Sequence, residues 1–183
     1  IVIFEHFFNK IIFYFLKIYN KISDFDSNIK TIVTVGTFDG VHLGHKSIFD
    51  KLNKLADQNS LVIVLLTFSP HPRHVLFPHN QNLKLINTDE EKIEKIKQLG
   101  VQHLIIHEFT KEFSRMTSID FVKNILVKKL NIEHLVVGHD HQFGKNREGS
   151  FEELLDLAEV YNFYIHRVEA FEKENVKISS TKI

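Results

Sequence analysis

The chain has 183 residues, 43% of them apolar and 25% charged, with 23 basic against 23 acidic side chains. That length suits one full-sized domain with its own core and is short for two. Zero formal charge excludes a global basic field for nucleic acid. The lack of cysteine excludes a disulfide frame or a zinc–thiolate site and agrees with a cytoplasmic location.

The first stretch, "IVIFEHFFNKIIFYFLKIY", is apolar and aromatic, but Glu5, His6, Asn9, Lys10 and Lys17 interrupt it. A membrane helix needs about 20 mostly apolar residues, and a signal peptide carries its charge ahead of its apolar core. Neither pattern is met, so no membrane partner is expected. Residues 1–16 read as an atypical extension, with the domain spanning 17–183.

From residue 31 strand and helix alternate. "TIVTVG" (31–36) reads as a strand and 44–58 as a helix. "LVIVLLTF" (61–68) is apolar at nearly every position, the mark of a strand covered on both faces. A loop through "SPHPRHVLFPHNQNLKLIN" holds all three prolines. Thr88 with Glu91 forms a capping box that opens a helix through Leu99, and Gly100 stops it. A third strand covers 101–109. "SIDFVKNILVKKLN" (118–131) is an amphipathic helix with Ile119, Val122, Ile125, Leu126 and Leu130 on its apolar face. A fourth strand (133–138), a helix (151–162) and a fifth strand (163–171) follow. "ENVKISSTKI" closes the chain as a short strand and a helix start. Five alternations predict an α/β domain: about five mainly parallel strands with helices on both faces. Ligands of such folds bind at the carboxyl ends of the strands. The loops after strands one, two and four, and the tail, are where Gly, His, Asp and Ser/Thr collect.

"GTFDGVHLGH" (36–45) turns a strand into a helix. Its glycines let backbone approach a ligand, and the helix start offers free N–H groups and a positive dipole end, suited to phosphate. It is neither a Walker loop nor GxGxxG. His42 and His45, at i and i+3, share one side of the first helical turn. They either donate to one phosphate chain or merely cap the helix. Gly44 between them leaves room for a ligand. As a zinc pair they lack a third ligand. In "TFSPHPRHVLFP", His71 between two prolines is a stiffened donor beside Arg73 and His74, or part of a rigid surface turn. "GHDHQFGKNREG" (138–149) brings Asp140, and Phe143 with a flat face for an aromatic ring. "ISSTKI" (178–183) is either ordinary helix capping or, with Lys182, a clamp on a polyphosphate.

"GTFDGVHLGH", "TFSPHP", "VVGHDHQFGKNREG" and "ISSTKI", in this order and spacing, resemble the FMN adenylyltransferase (FAD synthetase) module of bacterial bifunctional riboflavin kinase/FAD synthetases. The likeness runs over about residues 17–183. "HLGH" is similar to the histidine signature of the wider HIGH-motif nucleotidyltransferases. The resemblance implies a Rossmann-like nucleotidyltransferase fold and the reaction of ATP with FMN to give FAD and diphosphate, with Mg2+. It implies that His42, His45, Ser180 and Thr181 meet the reacting phosphates. Gly36, Thr37, Phe38, Gly44, Asp140 and Lys182 would lie on the ATP side. His71, Pro72, Gln142 and Phe143 would lie on the flavin side. Magnesium would sit mainly on substrate phosphate and water, with no assigned protein ligand.

Two departures from the family pattern stand out. The tail reads Ser-Ser-Thr-Lys-Ile where the family has Ser-Ser-Thr-Arg-Ile-Arg, so Lys182 keeps the charge without the planar fork. The C-terminal riboflavin kinase domain does not follow, so the chain reads either as a fragment of a bifunctional protein, which a cut inside a phosphate-binding segment favours, or as a stand-alone adenylyltransferase. The other readings are a related nucleotidyltransferase with another phosphorylated acceptor, or an inactive flavin- or ATP-binding remnant.

Overall fold

The computed structural model describes residues 15–79, 84–139, 141, 143–145, 149–169, 172–173 and 176–177. Its centre is a six-stranded sheet in which every neighbouring pair is parallel. The strands are β1 (Lys17–Tyr19), β2 (Thr31–Val35), β3 (Val62–Ser69), β4 (His103–Glu108), β5 (Ile132–Gly138) and β6 (Tyr164–Val168). Their order is β1-β4-β3-β2-β5-β6. A small antiparallel pair, β7 (Glu172–Lys173) with β8 (Val176–Lys177), follows.

The both-faces-buried pattern of β2 and β3 has a direct reading. Val33, Val35, Val64 and Leu66 face one core, and Ile32, Ile63 and Leu65 face the other. The period of two along each strand thus feeds two helical layers. Helix α1 (Leu43–Asn59) covers the second face through Ile48, Phe49, Leu52 and Leu55, joined by Ile96 of helix α3 (Asp89–Lys97). The first face is covered by helix α4, which starts at Ser118–Asp120 and continues as wider turns over Phe121–Val127, and by helix α5 (Phe151–Tyr161). Each buried aliphatic or aromatic side chain contributes about 1.5–3 kcal/mol, well above the few tenths that separate most helix propensities. Burial, not propensity, therefore holds these helices on the sheet.

Several boundaries depart from expectation. There are six parallel strands in the main sheet, not five. The sixth, β1, has three residues, too few to show an alternation, and is held at the edge through β4 and a Tyr19 Oη···His103 Nδ1 bond of 2.9 Å. The last main strand ends at Val168. Pro72–Leu76, inside the expected loop, forms a short helix α2 with Pro at its first turn. Ile119 is 52% exposed, although the 3.6 period put it on the apolar face. Its helix widens immediately afterwards: the Lys128 N–H reaches the Lys123 carbonyl (3.2 Å) and the Leu130 N–H the Ile125 carbonyl (2.8 Å), five residues back. That turn rotates the apolar face away from Ile119 while keeping Val122, Ile125, Leu126 and Leu130 inside. Leu16, placed in the extension by the sequence, packs against the α1-side core.

From β2 the chain winds outward through β3 and β4, then returns to the other side of β2 for β5 and β6. The order reverses between β2 and β5, and the crevice beyond their carboxyl ends is where such sheets bind ligands.

Candidate active site

Gly36–His42 leaves β2 at that switch point and enters α1. The turn is tight. Phe38 (φ 50), Gly40 (φ 80) and Val41 (φ 41) all adopt left-handed backbone. Gly40 tolerates this freely, but Val41 is β-branched and costs about 1–3 kcal/mol there. Strain of this size persists where surrounding contacts over-determine the backbone, and they do. The Gly36 N–H donates to the Leu66 carbonyl (3.1 Å) and Thr67 Oγ1 donates to the Thr37 carbonyl (3.2 Å). Asp39 Oδ1 accepts from the backbone N–H groups of Ile86 (2.9 Å) and Asn87 (3.2 Å). The Phe38 ring, 3% exposed, is buried against Phe49 and His45. A Cβ on Gly40 would meet Ile86 at 2.9 Å.

His42 is the N-cap of α1 and His45 its third residue. Their rings stack, 3.7 Å between centroids and 18° between planes, and the His42 backbone N–H donates to His45 Nδ1 at 3.3 Å. A neutral His45 whose Nδ1 accepts carries its proton on Nε2. The pair therefore sits at the positive dipole end of a 17-residue helix.

The loop after β3 forms the neighbouring wall. The Ser69–Pro70 peptide is cis. His71 caps α2, its Nδ1 accepting the Arg73 N–H at 3.1 Å, and Pro72 is the helix's first residue. Burial pushes the His71 imidazole below its usual range; Asp39 pulls it up, while His74, Arg73 and Lys92 push further down. A cavity of about 200 Å³ lies between this loop, the turn at Thr37 and Asp39, and the start of α3. At its wall Ser69 Oγ donates to Asp89 Oδ2 (2.5 Å), and Asp89 Oδ1 pairs with Lys92 Nζ (3.0 Å). Burial raises the Asp89 carboxyl, but the Ser69 hydroxyl and the Lys92 ammonium outweigh it and leave it below the ordinary carboxylate value.

The structure thus brings Gly36, Thr37, Phe38, His42, Gly44 and His45 together in one turn, with His71 and Pro72 on the wall beside it. Phe143 lies elsewhere in character. It is 8% exposed, its ring packs between Phe121 (6.2 Å) and His141 (6.1 Å), and its backbone pairs with Gly149. Asp140, Gln142, Ser180, Thr181 and Lys182 lie outside the described residues. Asp39, Asp89 and Lys92 were not singled out from sequence. The only hint was a carboxylate inside a Gly-rich turn and a lysine one turn into a capped helix.

The FAD synthetase family model matches residues 24–182. The chain belongs to the FAD synthetase family. A bifunctional riboflavin kinase/FMN adenylyltransferase of Listeria monocytogenes is 37% identical over 157 residues, covering 86% of this chain and 49% of the relative. A protein of the same organism named FAD synthetase is 35% identical over 152 residues, covering 83% of this chain and 61% of the relative. The chain spans about half the length of the bifunctional relatives it matches. Among solved structures, one titled macrolide-efflux protein from Streptococcus pneumoniae superposes with a TM-score of 0.80 at 30% identity, covering 91% of this chain and 54% of that one. A pantoate-β-alanine ligase from Francisella tularensis, at 15% identity and a TM-score of 0.62, shares the fold. The histidine turn and the Ser-Pro-His-Pro loop both lie within the residues that the family model matches. No helix among the described residues is long and apolar enough to cross a membrane.

Proposed function

We propose that this chain catalyses adenylyl transfer from ATP to FMN, giving FAD and diphosphate, within a longer bifunctional protein whose partner domain is a riboflavin kinase. The observation that carries the reading is the stacked His42–His45 pair at the start of α1, at the switch point of the sheet, in a member of the FAD synthetase family. A phosphate oxygen of FMN attacks the α-phosphorus of ATP. The new O–P bond forms as the bond to the β-phosphate oxygen breaks, and the electron pair leaves on diphosphate. No protein nucleophile is required, so the protein's part is positioning and charge stabilisation.

The roles then follow from placement. His42 and His45 donate to the nucleotide phosphates, backed by the helix dipole. Gly36–Phe38 shape the ATP side through backbone. His71 and Pro72 form the acceptor side, where a His71 held below its usual pKa is a neutral hydrogen-bonding group near pH 7. Asp140, Gln142, Phe143, Ser180, Thr181 and Lys182 complete the assignment on the resemblance alone. Among the described residues no group of three His, Asp or Glu side chains is arranged to hold a metal. Magnesium, held by substrate phosphate and water, would supply charge neutralisation there. A cytoplasmic location is supported by the lack of cysteine.

The test is incubation of the purified chain with ATP, magnesium and FMN, with FAD followed by chromatography. Appearance of FAD is expected. Its absence with FMN, together with turnover of another phosphorylated acceptor, would replace the reading.

A further inference from the structure

Helix α3 and the segment entering it hold both walls of the cleft. On one side, Asp39 of the histidine turn receives the N–H groups of Ile86 and Asn87, and Lys95 reaches the Gly40 carbonyl (3.4 Å) and Asn87 Oδ1 (3.0 Å). On the other, Ser69 donates to Asp89, and Asp89 pairs with Lys92. Lys92 is 7% exposed. Its partner carboxylate is 44% exposed, so the Coulomb gain is screened by water while the ammonium still bears the cost of burial, and the pair is a poor source of stability. What the ammonium provides is direction. It fixes one carboxylate oxygen of Asp89 so that the other faces the Ser69 hydroxyl at the point where β3 ends and the Ser-Pro-His-Pro loop begins.

We infer that Lys92 is a positioning residue: through Asp89 and Ser69 it fixes the loop Ser69–Phe77, while Asp39 ties the histidine turn to the segment entering the same helix, so that α3 and its entry set the spacing between the two walls of the cleft. The assignment of ATP to one wall and FMN to the other rests on the adenylyl-transfer reading. The mechanical tie does not. Because the two ties are separate, loss of Lys92 releases one wall and not the other.

The experiment compares wild type, Lys92→Met and Lys92→Arg by steady-state kinetics and by backbone hydrogen exchange. In Lys92→Met the amides of His74 and Phe77, which donate to the His71 and Arg73 carbonyls, exchange faster. The Gly36 amide, bonded to Leu66, keeps its protection. The KM for FMN rises on the order of tenfold while that for ATP is unchanged. Lys92→Arg restores both readouts. Should Lys92→Met fail to fold, Ser69→Ala cuts the same tie from its other end and gives the same pattern. Unchanged exchange in 69–77, or equal losses at both walls, overturns the inference. If wild type makes no FAD, the adenylyl-transfer reading fails separately, and the exchange pattern alone decides whether Lys92 holds the loop.

Discussion

The imidazoles of His42 and His45 stack face to face, and the main chain of the first donates to the side chain of the second. One interaction thus caps α1 and pairs the two rings. Capping and phosphate contact can be separated. In His45→Asn the side-chain oxygen replaces Nδ1 as acceptor, so the cap survives and the melting temperature stays within a few degrees of wild type. The Nε2 donor is lost. Removing one donor to developing charge costs about 10²–10³ in rate, and FAD formation falls by that factor. Thermal melting and initial rates on the same preparation check the split.

Gly100 provides a control far from the chemistry. It lies at φ +80, and a Cβ there would run into the Asn53 side chain. Asn53 Nδ2 bridges the Leu99 and Phe49 carbonyls at 2.9 Å each, pinning the end of the α3 segment to α1. Gly100→Ala pays about 1–2 kcal/mol for the left-handed backbone, and the displaced amide adds to it. Urea unfolding shows a lower midpoint, while kcat under folding conditions is unchanged.

His134 and His166 meet across β5 and β6, Nδ1 to Nε2 at 2.8 Å with rings parallel to 1°. Burial lowers both imidazoles from 6.5. Glu133 opposes this at His134, and at His166 the charges of His134 and Lys51 lower it further. Above pH 6.5 the pair is neutral folded or unfolded and costs nothing. As pH falls through 6.5 the unfolded chain takes up protons that the folded one resists, so stability declines towards the lowered folded values. His71, His103 and His107 are shifted the same way, also led by burial. Unfolding midpoints measured from pH 8 to pH 5 therefore decrease, and a His134→Phe/His166→Phe variant shows a shallower decline.

Much of the architecture was legible because the strands are buried on both faces. Ile32 and Val33 cannot both reach a core unless helices lie on each side, and the run at 61–68 says the same. The histidine turn was legible because His42, Gly44 and His45 fall where a strand becomes a helix. What escaped depends on contacts far along the chain. β1 is a strand only because β4 pairs with it. Ile119 left the core because the helix widens one turn later. Phe143 is buried beside Phe121, a contact 22 positions away that no local pattern shows. Asp39 and Asp89 look like ordinary surface charges until residues 20 to 48 positions away are brought against them.

The central claim, adenylyl transfer supported by the histidine turn, is tested most directly by following label. ATP labelled at the α-phosphorus and ATP labelled at the γ-phosphorus are each incubated with FMN, magnesium and the chain, with a His42→Ala/His45→Ala variant alongside. The account predicts α-label in FAD, γ-label in diphosphate, and loss of both transfers in the variant. Label from the γ-phosphorus on flavin, or α-label transfer undiminished in the variant, would contradict it.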